Sequence, residues 1–176
     1  MDITTKTLAF EYWLTQMLIW GNELNPKVPF SSFSRLKALK LLFFSASVKD
    51  ERGKDLLDIF DNFYALPYGP VESDIYNCIT LDRLQYFSFK NFSLEKKQDY
   101  CDETLNDDMK QRIKYAIKML RTNNQKIIKY NAEQLVSLSH IWFSWRNAIQ
   151  IAHALGKESY KMDIGLIRTN IQYFSL

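Results

Sequence analysis

Apolar side chains recur three and four residues apart in segment after segment of this chain, and a chain built that way folds mainly into α-helices. Phe10, Trp13, Leu14, Met17 and Leu18 place a first helix over 4–20, with Thr4 or Thr5 to cap its start and Gly21 to suit its end. Asn22 to Phe33, with Pro26 and Pro29, reads as a connection. A second helix runs from Ser34 to about Val48 through Leu36, Leu39, Leu42, Phe43 and Ala46. Leu41 and Phe44 widen its stripe, so burial on more than one side is expected, with Arg35, Lys37 and Lys40 left to face solvent or a partner.

Residues 50–54 form a charged turn around Gly53. The spacing of Leu56, Ile59, Phe60 and Phe63 predicts a helix over 55–64, with Asp55, Asp58, Asp61 and Asn62 on its outer face. Leu66-Pro-Tyr-Gly-Pro70 breaks it, and Pro70 fits the first turn of the next helix, where a missing N–H costs nothing. Glu72 and Asp74 then complement that helix's dipole, while Val71, Ile75 and Ile79 face inward. Leu84 to Leu94 is different: Tyr86, Phe87, Phe89 and Phe92 crowd it, and Phe87 and Phe89 alternate with Ser88 and Lys90, as in a half-buried hairpin strand.

Past a polar loop over 96–108, Met109, Ile113, Ala116, Ile117 and Leu120 mark a helix over 107–121. Asn131 and Gln134 open the next as a capping box. Its inner face holds Leu135, Leu138, Trp142, Trp145, Ile149 and Ala152, and Gly156 ends it. A last helix over 163–174 passes through Ile164, Ile167, Ile171 and Phe174. The expected fold is mainly α: a compact single-domain bundle of about six or seven helices with a small β-hairpin near 84–94. Residues 1–33 supply an N-terminal helix and connection, and 34–176 the main body of one globular unit.

Composition narrows the function. A 47% apolar, 15% aromatic chain of 176 residues is a packed domain. A formal charge of +3, with basic and acidic residues interleaved, makes nucleic acid an unlikely partner. Cys78 and Cys101 form no Cys-x-x-Cys motif and read as free thiols in a reducing compartment. With no signal-like start and no run of about 20 apolar residues, a cytoplasmic protein without membrane partners is expected.

No catalytic constellation emerges. The five glycines form no phosphate loop. His140 and His153 lack zinc-helix spacing, and His140 reads as a structural hydrogen-bonding residue. Asp55, Asp58 and Asp61 share a spacing of three, but a solvated helix face is the commoner meaning than a metal site. Ser137 and Ser139 near His140 have no elbow or triad around them. The chain is therefore read as no enzyme, with no cofactor and no metal. Tyr64, Tyr68, Trp145 and Arg146 are the candidate partner-binding residues, because Tyr, Trp and Arg dominate binding hot spots. Those on the Pro67–Pro70 turn rank first, since turns lie at the surface.

Two stretches carry a resemblance. One is Phe33-Ser-Arg-Leu-Lys-Ala-Leu-Lys-Leu-Leu-Phe-Phe44 followed by Tyr64-Ala-Leu-Pro-Tyr-Gly-Pro-Val71 and Asp74-Ile-Tyr76; the other is Leu135-Val-Ser-Leu-Ser-His140 with Trp145. Together, over about residues 33 to 176, they resemble the Panacea domain, also called the SocA-like antitoxin domain. The motif positions are Lys40, Leu41, Phe43, Tyr68, Gly69, Pro70, Val71, Tyr76, His140 and Trp145, most of them structural in character. Phe43 and Phe44 stand where the family often has tyrosine, and 55–64 reads helical where relatives are often extended.

The resemblance implies an antitoxin of a two-gene toxin–antitoxin system, often on a prophage or mobile element. It binds its cognate toxin directly and, in some members, delivers it to a protease. The alternative is a DNA-binding regulator encoded on a prophage or mobile element, since many antitoxins also repress their own operon. The basic residues Lys37 and Lys40, set in an apolar helix, suit a recognition helix poorly.

Overall fold

A computed structural model describes residues 1–27, 32–90, 93–101 and 105–175. Pro29 and Phe92, singled out above, lie outside the described residues, as do positions 102–104 of the polar loop. Among the described residues, seven α-helices surround one aromatic-rich core: α1 (Ile3–Leu24), α2 (Arg35–Ser47), α3 (Ser73–Thr80), α4 (Asp107–Asn123), α5 (Ala132–Ile141), α6 (Phe143–Ala154) and α7 (Ile164–Thr169). Strands β1 (Phe63–Leu66), β2 (Gly69–Glu72) and β5 (Tyr160–Lys161) form an antiparallel sheet in the order β2-β1-β5, and β3 (Phe87–Lys90) and β4 (Ser93–Lys96) a separate hairpin.

Local chemistry sets the helix ends. Asp2, rather than Thr4 or Thr5, caps α1 by accepting from the Thr5 N–H at 2.9 Å. The helix continues through Gly21 to Leu24. Ser34 caps α2, Asn106 caps α4 and Asp163 caps α7. Asn131 and Gln134 form the full reciprocal capping box of α5. As its double stripe requires, α2 is buried from Ala38 to Ser47. Its middle holds the core together through Phe43, whose ring meets Trp142 at 4.8 Å and Phe63 at 5.5 Å, both edge-on.

The structure corrects several sequence-based expectations. Residues 55–64 are not a helix. Leu56 to Phe60 make one tight turn, in which the Ile59 and Phe60 N–H groups both donate to the Leu56 carbonyl. Phe63–Leu66 then alternates buried and half-buried as a strand. A period of two in Phe63 and Ala65 overrides the apparent period of 3.6 because the two-residue Pro67–Tyr68 turn folds β1 back on β2, pairing Leu66 with Gly69. Pro70 consequently sits in β2 opposite Ala65, not in a helix. It is tolerated there because β2 is an edge strand, with no ladder partner on its far side among the described residues. The following helix starts three residues later, at Ser73, with Glu72 as its cap.

The predicted single helix from Asn131 to Gly156 is two. Trp142 adopts an extended conformation (φ −67°, ψ 125°) between α5 and α6. The last helix stops at Thr169, which leaves Ile171 exposed. Lys40, expected at the surface, is fully buried.

Candidate functional site

The motif residues converge where the β1–β2 hairpin meets α2, α5 and α6. Lys40 reaches from the middle of α2 to donate from Nζ to the Pro70 carbonyl at 2.7 Å. No carboxylate among the described residues pairs with it, and burial pushes its amine down to about 7. Gly69 lies against this amine with φ +92°. A Cβ there would stand 2.3 Å from Ser139 Oγ and 3.0 Å from Lys40 Cε, so both the backbone angle and the close approach require glycine.

The break at Trp142 completes the corner. Residues five apart on a continuous helix point about 140° away from each other. Here His140 at the end of α5 stacks flat on Trp145 of α6, ring centres 3.8 Å apart and 7° from parallel. Trp145 Nε1 donates to the Leu66 carbonyl at 3.0 Å, tying α6 to the entrance of the turn. Burial lowers the His140 pKa, the charge of Lys40 lowers it further, and the Pro67 backbone opposes them. His140 is thus a neutral, stacked ring, and its buried Nε2 has no hydrogen-bond partner among the described residues. Ser139 donates to the Val136 carbonyl of its own helix at 2.8 Å. It has no access to solvent as a nucleophile would need.

The candidate partner-binding residues separate. Tyr68 is 71% exposed at the tip of the turn, and Arg146 is exposed on α6. Trp145 is half-buried in the stack beneath them. Tyr64 is half-buried on the central strand, opposite Val71 and Lys161. Of the remaining motif residues, Leu41, Phe43 and Val71 are core. Tyr76 is half-buried with the Arg35 guanidinium 5.3 Å from its ring centre.

Sequence reasoning missed a second corner, where α1 meets the far end of β2. Lys6 of α1 is buried, and its Nζ donates to Asp61 at 2.7 Å, Glu72 at 3.0 Å and Asp74 at 2.6 Å. Burial alone would lower the amine's pKa, but these hydrogen bonds and charges raise it above the ordinary lysine value. The three carboxylates lie within 4.8 Å of one another, as ligands of a metal would, yet the Lys6 ammonium already fills the place of a cation among them. Asp55, Asp58 and Asp61 do not cluster: they pair separately with Arg168, Arg112 and Lys6. A lone lysine four residues before the stripe that begins at Phe10 gave no signal for this arrangement.

No helix among the described residues is long and apolar enough to cross a membrane. A family model described as the antitoxin SocA-like, Panacea domain matches residues 39–146. That span contains the whole Lys40–Gly69–His140–Trp145 corner, whereas α1 lies outside it. No curated protein and no solved structure matches the chain.

Proposed function

The chain belongs to the SocA-like Panacea antitoxin family, and from that membership we propose that it is a cytoplasmic antitoxin that neutralises its cognate toxin by direct binding and without catalysis. The observation that carries the choice of surface is Tyr68: a large aromatic side chain, 71% exposed, on a turn whose backbone is fixed from beneath. Lys40 holds the Pro70 carbonyl on one side of the turn and Trp145 holds the Leu66 carbonyl on the other. A turn already ordered in this way loses little conformational entropy when a partner covers it. Arg146 and the half-buried Trp145 and Tyr64 extend the surface with residue types that anchor interfaces. Delivery of the bound toxin to a protease, and a prophage or mobile-element origin, complete the reading that the family suggests.

Co-expression with the product of the adjacent gene tests it. The neighbour alone should block growth, and this chain should restore growth and co-purify with the neighbour. A neighbour that is harmless alone removes the basis of the proposal. A gel shift with the DNA upstream of the gene separates this reading from a DNA-binding regulator. The second helix lends that alternative no support, since Lys40 is buried and Lys37 half-buried.

A further inference from the structure

The near balance of charge over the whole chain conceals one segment. From Met109 to Tyr130, along α4 and the turn after it, every charged side chain is basic, whereas in the remainder of the chain acidic residues outnumber basic ones. Lys114 and Lys118 are exposed on α4, and neither has an ion-pair partner among the described residues. Four residues apart on a helix, they share one face about 6 Å apart along its axis.

A groove of about 210 Å³ runs beside them, between α4 and α1. Contacts across it advance together along both helices. Lys114 Nζ lies 6.0 Å from the ring centre of Tyr12, and the Arg121 guanidinium lies 5.9 Å from that of Trp20 while pairing with Glu23 at 2.8 Å. Tyr12 to Trp20 on α1 thus matches Lys114 to Arg121 on α4, and the two helices run side by side in the same direction. Trp20 and Ile117, both buried, form the base of the groove. Lys114 and Lys118 line the α4 side, and Ile19, 50% exposed, lines the α1 side with the half-buried Gln16. One wall is therefore cationic, the other uncharged until Glu23, and the base apolar.

A chain of phosphates fits this asymmetry poorly, because it would meet Ile19 and the Glu23 carboxylate on one wall and gain nothing from the base. An amphipathic helix fits both walls. Its apolar side chains would cover Ile19 and Ile117, and carboxylates one turn apart beside them would match the step of about 6 Å from Lys114 to Lys118. We propose that the α1–α4 groove docks an amphipathic helix of a partner protein, with a stripe of carboxylates on Lys114 and Lys118 and a stripe of apolar side chains on Ile19 and the groove base. The groove needs α1, which lies outside the family match, and it shares no residue with the turn that carries Tyr68, so the assignment does not rest on toxin neutralisation.

Fluorescence anisotropy with the purified full chain tests it. The probe is a labelled helical peptide with leucines along one face and glutamates one turn apart beside them. The controls are a scrambled peptide of the same composition, a peptide with lysine for glutamate, and duplex DNA. The striped peptide should bind at least about tenfold more tightly than any control. Reversing both exposed charges, Lys114→Glu with Lys118→Glu, should weaken that binding by about tenfold or more and leave the melting temperature nearly unchanged. Ile19→Ser, on an exposed position, should weaken it as well, and decides the matter if the double variant does not fold. The assignment is overturned if the striped peptide does not bind below about 1 mM, if the scrambled peptide binds as well, or if either folded variant binds unchanged. Tightest binding to DNA would also overturn it and make this face a nucleic-acid surface.

Discussion

Two buried lysines grip the same short strand from opposite ends, and they do it by opposite means. Lys6 meets Glu72 at the C-terminal end of β2 with two further carboxylates around it, and stays firmly charged. Lys40 meets Pro70 near the N-terminal end with one carbonyl and no countercharge among the described residues, and its amine is pushed down to about 7. The first contact fastens α1, which the family match leaves out, to the rest of the fold. The second lies in the matched span and underpins the turn that presents Tyr68. One residue type thus serves as a fully charged clasp in one corner and, in the other, as a strut whose amine gives up its proton near neutral pH. The local supply of carboxylates decides which.

The sharpest way to break the comparison is to remove the clasp. Lys6→Ala leaves the fully buried Glu72 beside Asp61 and Asp74 with no cation, and loss of one partner from a buried ionic cluster costs about 3–5 kcal/mol. Urea unfolding at pH 7 measures it, and a loss below about 1 kcal/mol would mean that water replaces the ammonium. Gly69→Val probes the strut's neighbour. It places a side chain against Ser139 and Lys40 at a left-handed φ and should cost about 1–3 kcal/mol in thermal melting. An unchanged melting temperature would show that the turn yields freely.

The Lys40 corner was only partly legible in the sequence, and the Lys6 corner not at all. The stripe of α4 was readable because it buries one face of a regular helix, and those of α1 and α2 because their apolar residues recur at helical spacing even where burial spreads beyond one face. The hairpin at Phe87 was readable from its alternation. The strand at Phe63 was not, since Leu56, Ile59, Phe60 and Phe63 fit a helical spacing by coincidence and only the return of β2 across the turn settles the period. The break at Trp142 was hidden for a related reason: apolar spacing continues through it, and the stack of His140 on Trp145 that accompanies it is a tertiary contact with no local signature. Lys40 was misplaced because a lysine with a partner only in the backbone of a distant turn looks like any solvated lysine. The turn itself was marked in advance by Pro67, Gly69 and Pro70, and so was the exposure of Tyr68.

A smaller effect distinguishes the strut from the clasp. Lys40→Met loses a hydrogen bond worth about 1 kcal/mol, so above the ordinary lysine value of 10.5, where the amine is neutral in both states, its stability should lie within about 1 kcal/mol of the parent. The two proteins should diverge with pH. In the unfolded chain the amine has the ordinary value of 10.5, and in the folded chain about 7. Between those values the unfolded state binds more protons, so the parent gains stability as pH rises, by at most about 1.4 kcal/mol per unit, and loses it as pH falls towards 7. Lys40→Met should lack that component. Identical pH profiles from denaturant titrations would place the amine's charge elsewhere.

The smallest expected effect on folding belongs to the largest expected effect on binding, at Tyr68. With 71% of its surface already exposed, Tyr68→Ala should leave the melting temperature nearly unchanged. Its affinity for the purified product of the adjacent gene, measured by calorimetry beside that melting curve, tests the central claim most directly. A loss of about 2 kcal/mol or more in binding with folding intact is the expected result. Unchanged affinity in a normally folded Tyr68→Ala protein, or early melting that places the ring in the core, would contradict it.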